Sequence, residues 1–162
     1  MKKNKQKDFY IRAAEEKDVL EIFALIKELA TYEKLTDQVV TDEKAIKETL
    51  FGEKPYAETY LAIWKGETAG LLIFFHNYST FLGKPGLYIE DLFVKESHRG
   101  LGIGKALFLE SVRIAKERDC GRMEWSVLNW NPAKNFYIKL CSYPLKEWTV
   151  YRLNKEAMDQ LI

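Results

Sequence analysis

Cysteine is scarce in this chain of 162 residues: only Cys120 and Cys141 are present, with no CxxC pair and no leader sequence. That rules out a disulfide-stapled scaffold and sets the expectation of a reduced, cytoplasmic protein. Histidine is equally sparse. His76 and His98 stand far apart, with no cysteine or acid at zinc-ligand spacing, so no metal site is expected. Long apolar runs are missing too. Stretches such as Leu71 to Phe75 fall far short of a membrane span, and no membrane partner is expected. Charge of one sign is not in excess either. A formal net charge of +1, with no Lys/Arg block in the body of the chain, gives no general attraction to nucleic acid. Four lysines crowd residues 1–7, which read as a flexible basic tail. Setting those four aside leaves 21 basic against 24 acidic residues, a mild bias tolerant of a cationic substrate.

What is abundant is core-forming material. Hydrophobic residues make up 47% and aromatics 14%, enough for one ordinary domain over residues 8–162. Phe9 to Ala13 reads as a short strand, and Val19, Ile22, Phe23, Ile26, Leu29 and Ala30 recur at helical spacing. A second helix is expected from Thr41 as N-cap to about Phe51-Gly52. Thr59 to Trp64 and Ala69 to His76 read as a hairpin around Lys65-Gly66-Glu67, and Pro85-Gly86 reads as a turn. Leu87 to Val94 is a hydrophobic strand that carries Glu90 and Asp91 in its middle. A helix runs from about Gly102 to Arg118, a strand over Met123 to Leu128, and a short helix follows Asn131-Pro132. Trp148 to Leu153 alternates as a last strand. The order β-α-α-β-β-β-α-β-α-β predicts one α/β domain with a mixed sheet.

Arg99-Gly100-Leu101-Gly102-Ile103-Gly104 sits between the acid-bearing strand and a helix. Glycines there let successive N–H groups turn inward at the positive end of the helix, an arrangement that holds phosphate, and Arg99 adds a charged donor. A mere flexible turn is the alternative. The P-loop is excluded because Gly104-Lys105 is followed by Ala106 and no hydroxyl is available for magnesium. The dinucleotide fingerprint fails because its third glycine would fall on Lys105. The spacing that remains is R-x-x-G-x-G.

With that spacing the chain resembles the GNAT superfamily of N-acetyltransferases, along nearly its whole length. Within it, Ile26-Lys27-Glu28-Leu29-Ala30, Tyr32-Glu33, Leu87-Tyr88-Ile89-Glu90-Asp91, Trp130-Asn131 and Phe136-Tyr137 are similar to the diamine (spermidine/spermine) and thialysine acetyltransferase branch. The resemblance implies the GNAT fold, with a mixed, mostly antiparallel central sheet flanked by helices. It also implies acetyl-CoA as co-substrate, an amine acceptor and a homodimer.

Residue by residue, the resemblance assigns acetyl-CoA to main-chain groups of Leu92, Phe93 and Val94. The loop Arg99, Gly100, Leu101, Gly102, Ile103, Gly104 and Lys105, with Asn131 and Tyr137, completes that set. The acceptor side is assigned to Tyr32, Glu33, Glu90, Asp91, Glu124, Trp125, Ser126 and Trp148, since aromatics with carboxylates suit an alkylammonium. An alkylammonium with a pKa near 10.4 is about 4.6 kcal/mol from its nucleophilic form at pH 7, so a proton acceptor is needed. A regular strand aims only one of Glu90 and Asp91 into the cleft, and the reading favours Glu90; a bulge would bring both near. The alternative is an acid at a solvated edge, or one paired with Lys or Arg. Tyr137 is implied as the acid that protonates the departing thiolate; without the resemblance it reads as a core tyrosine.

The chain departs from the family at three places. Ser79 stands where polyamine-preferring members carry an aspartate, which is closer to the thialysine type. Pro132 follows Asn131 directly. Cys141 replaces the glycine that ends the helix after Tyr137, and a structural cost is expected there. Two other readings remain open at this point: a non-catalytic acyl-CoA-binding or sensing module, and an acetyltransferase for protein N-termini or lysines.

Overall fold

The computed structural model describes residues 8–162; the expected basic tail over residues 1–7 lies outside the described residues. The chain divides into two compact units, one running to Ser126 and one of Val127–Ile162. The first contains β1 (Phe9–Ala13), α1 (Val19–Glu33), α2 (Glu43–Phe51), β2 (Glu58–Trp64), β3 (Glu67–Ser79), β4 (Lys84–Val94), α3 (Ile103–Glu117) and β5 (Arg122–Trp125). The second contains α4 (Ala133–Lys139) and α5 (Lys155–Asp159).

The five strands of the first unit lie in chain order in one sheet. β1 to β4 are antiparallel neighbours, and β5 joins β4 in parallel with α3 as the crossover. The sheet is therefore mixed and mostly antiparallel. The β2–β3 turn is the two residues Lys65 and Gly66, both at positive φ (49° and 89°), the hairpin geometry that matches strand twist.

Each face of the sheet is sealed by apolar side chains at the periods the elements impose. On one face Leu61, Ile63, Leu71, Ile73 and Phe93 meet Val19, Ile22 and Leu25 of α1 and Ile46 of α2. α3 lies on the other face with Ile103, Leu107, Phe108, Ile114 and Ala115 buried. Removing each such aliphatic side chain from water contributes about 1.5–3 kcal/mol.

Between β3 and β4 the register slips. Ile73 pairs with Asp91 and Phe74 with Ile89, so Glu90 is an extra residue on β4 with no partner. This bulge shifts the alternation of β4 by one. On the other side of β4 the ladder to β5 has four rungs, from Gly86↔Arg122 to Ile89↔Trp125. Past Ile89, the edge of β4 over residues 90–94 has no strand beside it among the described residues.

Several expectations change. Trp148 to Leu153 forms no strand. Trp148, Val150 and Tyr151 are all more than three-quarters exposed, so neither side of the alternation finds a surface to cover, and alternation alone does not make a strand without a neighbour. The strand expected to reach Leu128 stops at Trp125. Pro85-Gly86 is not a turn: both pair with β3, while the reversal occupies Thr80–Gly83, where Gly83 N donates to Ser79 O at 2.8 Å. Proline is tolerated there, one residue into the strand. α2 is capped by Asp42, not Thr41, through Asp42 Oδ1 accepting from Ala45 N at 2.8 Å. The short helix after Asn131 begins at Ala133, with Pro132 at the cap position. Asn131 still caps it, Oδ1 accepting from Ala133 N at 2.9 Å.

Candidate active site

The glycine loop enters α3 through two left-handed residues, Gly100 at φ 80° and Gly102 at φ 81°. A Cβ at either would meet nothing within 4 Å, so backbone conformation, not crowding, requires glycine at both. Gly104 is already helical and is not bound by that constraint. The first turn of α3 has no side-chain cap and no acid, and Lys105 stands in it.

Arg99 at the loop's start folds back. Its Nε donates to Val94 O at 3.1 Å, and its guanidinium carbon lies 4.4 Å from the Tyr32 ring and 5.7 Å from that of Phe93. These contacts fasten the loop to the end of β4 and to α1 while the side chain remains exposed. An open cleft of about 500 Å³ lies here, lined by Lys27, Glu28, Thr31, Tyr32, Phe93 and Arg99 among others.

Three carboxylates come together where the bulge interrupts β4. Because Asp91 pairs with Ile73, it faces the α1 side of the sheet, whereas Glu90 is exposed. Burial pushes the Asp91 carboxyl up to about 7, and the negative charges of Glu90 and Glu33 add to the effect. Glu33, at the end of α1, is also raised by burial. Neighbouring negative charges disfavour one another's ionisation, and a cation placed among them relieves that.

The same face continues along the sheet. Across the bulge, Tyr88 shares it with Phe75, their rings 5.1 Å apart, and one strand over lies Glu124. Tyr88 OH and Ser126 Oγ are 2.8 Å apart. Glu124 accepts from Asn77 Nδ2 at 2.8 Å and pairs with Arg122 Nε at 2.9 Å. Trp125 takes the opposite face by alternation and packs edge-on against Phe108 at 5.3 Å. Asn77 and Arg122 were not singled out from sequence, and Tyr88 entered only within the motif Leu87-Tyr88-Ile89-Glu90-Asp91, with no role of its own. Their common face depends on the β4–β5 register, which no local pattern encodes.

In the second unit, Tyr137 lies within α4, its ring 5.0 Å from that of Phe136. Trp148 is exposed in irregular chain. Cys141 takes φ 64°, the left-handed position that glycine usually fills, and Ser142 N donates to Tyr137 O at 3.3 Å. Among the described residues no three His, Cys, Asp or Glu side chains are placed to hold a metal ion. No described helix is long and apolar enough to cross a membrane.

Comparison with known proteins draws these features together. The model of the acetyltransferase (GNAT) family matches residues 18–143. The chain is 36% identical to the thialysine N-epsilon-acetyltransferase of Bos taurus, over 93% of this chain and 95% of that one. It is 30% identical to the L-ornithine N5-acetyltransferase of Arabidopsis thaliana, over 93% and 86%. An integron cassette protein from the mobile metagenome of V. cholerae shares the fold, with a TM-score of 0.81 at 22% identity, over 96% and 98% of the two chains.

Proposed function

The chain belongs to the acetyltransferase (GNAT) family, and from that premise we propose that it transfers acetyl from acetyl-CoA to a primary amine of a small diamine, polyamine or thialysine-like amino acid, directly within a ternary complex. The observation that carries this reading is the bulge of β4. It sets Asp91, Glu90 and Glu33 beside an unpaired strand edge that leads, through a short turn at Glu96–His98, into the glycine loop.

The residues fit acetyl-CoA. Gly100 and Gly102 in left-handed conformation, and an uncapped α3 N-terminus free of acids, suit a pyrophosphate. By alternation the main-chain groups of Leu92 and Val94 turn to the open edge of β4 while those of Phe93 turn toward β3, and the open edge suits an amide-bearing arm and a thioester carbonyl. Acetyl-CoA supplies a thioester carbonyl that an amine lone pair can attack.

Glu33, Glu90 and Asp91 attract the acceptor as its ammonium. Asp91 is the better proton acceptor of the two neighbouring acids, because its raised affinity for a proton narrows the gap to an alkylamine. Transfer from an amine of pKa near 10.4 to a carboxylate near 7 is uphill by about 4–5 kcal/mol, against about 9 for an ordinary aspartate. The freed amine forms the new N–C bond as the C–S bond breaks, and the departing thiolate takes a proton. Tyr137 is assigned that donation on the strength of the family resemblance.

The test is to mix purified protein and acetyl-CoA with diamines, polyamines, ornithine, lysine, thialysine and peptides, following thiol release. Amine-dependent release with intersecting double-reciprocal plots is expected. Release with no amine of the panel would overturn the reading, and release with peptides alone would move the acceptor to proteins.

A further inference from the structure

We propose that the closed end of the fork between β4 and β5 is the pocket for the acyl group of the donor, and that Trp125 is the residue that limits this group to acetyl. This rests on the acetyltransferase reading and deepens it on the donor side.

Register locates the fork. β4 and β5 run in parallel through four rungs, and Ile89↔Trp125 is the last of them. Past that rung β4 stays with β3, since Asp91 pairs with Ile73 and Phe93 with Leu71, while β5 ends at Trp125. The glycine loop follows β4 in the chain, so a donor held there by its phosphates lies on the open edge at Val94 before Leu92. Its acyl end is then directed at the last rung. Main chains hydrogen-bonded across a normal strand spacing leave no passage between them, so the acyl group stops there.

Side chains close the fork on both faces. Alternation sends Trp125 to the α3 face, where its indole stands edge-on to Phe108, ring centroids 5.3 Å apart at 81°. Phe108 is buried within α3, and Ile89, also buried, shares the face of Trp125. On the Asp91 face Tyr88 reaches across from β4 to the residue that follows β5, with Tyr88 OH and Ser126 Oγ 2.8 Å apart. That hydrogen bond is a side-chain rung laid over the mouth of the fork. The Tyr88 ring is steadied in turn by Phe75, 5.1 Å away.

The size of the acyl group follows from these walls. An acetyl methyl asks for the room of one carbon, and every further methylene is driven toward the indole. A ring packed edge-on against a buried phenyl yields little, because close-packed neighbours must shift with it. Trp125 and Ser126 are given to the acceptor by the family resemblance; at the end of the fork they serve the donor, and Glu124 between them points to the acceptor face.

The experiment compares acetyl-, propionyl-, butyryl- and hexanoyl-CoA as donors for the intact protein, with the amine panel as acceptors and thiol release as the signal. kcat/KM is expected to fall by at least about thirtyfold from acetyl-CoA to butyryl-CoA, with propionyl-CoA between. Trp125→Ala should bring the acetyl-to-butyryl ratio to within about threefold of one. Trp125→Leu, which keeps an apolar side chain against Phe108, should stop partway. Loss of packing alone lowers both donors together and leaves the wild-type ratio; that result, or a wild-type ratio near one, overturns the proposal. Titration calorimetry with acetyl-CoA and butyryl-CoA, no amine added, keeps the two readings apart. If no amine turns over but Trp125→Ala binds butyryl-CoA at least about tenfold tighter than wild type, with a smaller gain for acetyl-CoA, the pocket stands and the transfer reading falls. With neither turnover nor that gain, the pocket falls as well.

Discussion

At the scale of single residues, Asp91 concentrates the consequences. Its carboxyl titrates near 7 when folded against 3.8 when unfolded, so the folded protein holds the proton more tightly. The resulting stabilisation is complete below about pH 4 and is lost as pH rises toward 7 and beyond. Asp91→Asn should therefore match wild type in urea melts at pH 4 and exceed it by roughly 2–4 kcal/mol at pH 8. The same variant should lower kcat/KM for amines more than tenfold and remove its rise through about pH 7, read from the pH profile. Tyr137→Phe should cut turnover at least tenfold while acetyl-CoA affinity, by calorimetry, changes less than about threefold. Both acids of the Glu90-Asp91 pair were legible in the sequence, but their facing was not. Alternation admits only one of the pair to the cleft and the sequence reading chooses Glu90, whereas the slip opposite Ile73 and Phe74 arises from a pairing partner elsewhere in the chain.

At the scale of elements, glycine positions that look alike in sequence are unlike in structure. Gly102→Ala forces a side chain into left-handed backbone and should cost about 1–2 kcal/mol in thermal melts, with weaker acetyl-CoA binding. Gly104→Ala puts its methyl in ordinary contact with Val94 Cγ2 at 3.5 Å inside a helix, and should raise stability by about 0.5–1 kcal/mol. Cys141→Gly relieves a left-handed cysteine at the end of α4 and should also gain about 0.5–1 kcal/mol, by the same melts. The helical stripes and the β2–β3 hairpin were legible because period and turn chemistry are local. The strand expected at Trp148 to Leu153 was not formed, because a strand depends on an available edge, a property its own six residues do not carry.

At the scale of the whole molecule, the sheet of the first unit is uneven. β2 and β3 pair over most of their length next to sequence neighbours, whereas β5 holds on by four rungs after a helical crossover. Opening of β5 alone exposes little core, since its residues are at most partly buried. Amides of Met123 to Trp125 should exchange with deuterium at least tenfold faster than those of Leu71 to Phe74; equal protection would mean that the sheet opens as one body. Family and fold class were readable at this scale from order and motif, and the acid-bearing strand was located correctly. The pairing of β4 with β5 and the face it builds were not, since parallel neighbours are joined through a helix and share no local signal. The bulge has one more consequence for the chain as a text. Removing codon 90 would leave Ile89 adjacent to Asp91 and restore an unbroken ladder opposite Phe74 and Ile73, with every inward side chain still inward. Deletion of residue 90 would thus leave the interior intact while removing the bulge that gathers Glu90, Asp91 and Glu33, a single change that parts the fold from the proposed acceptor site.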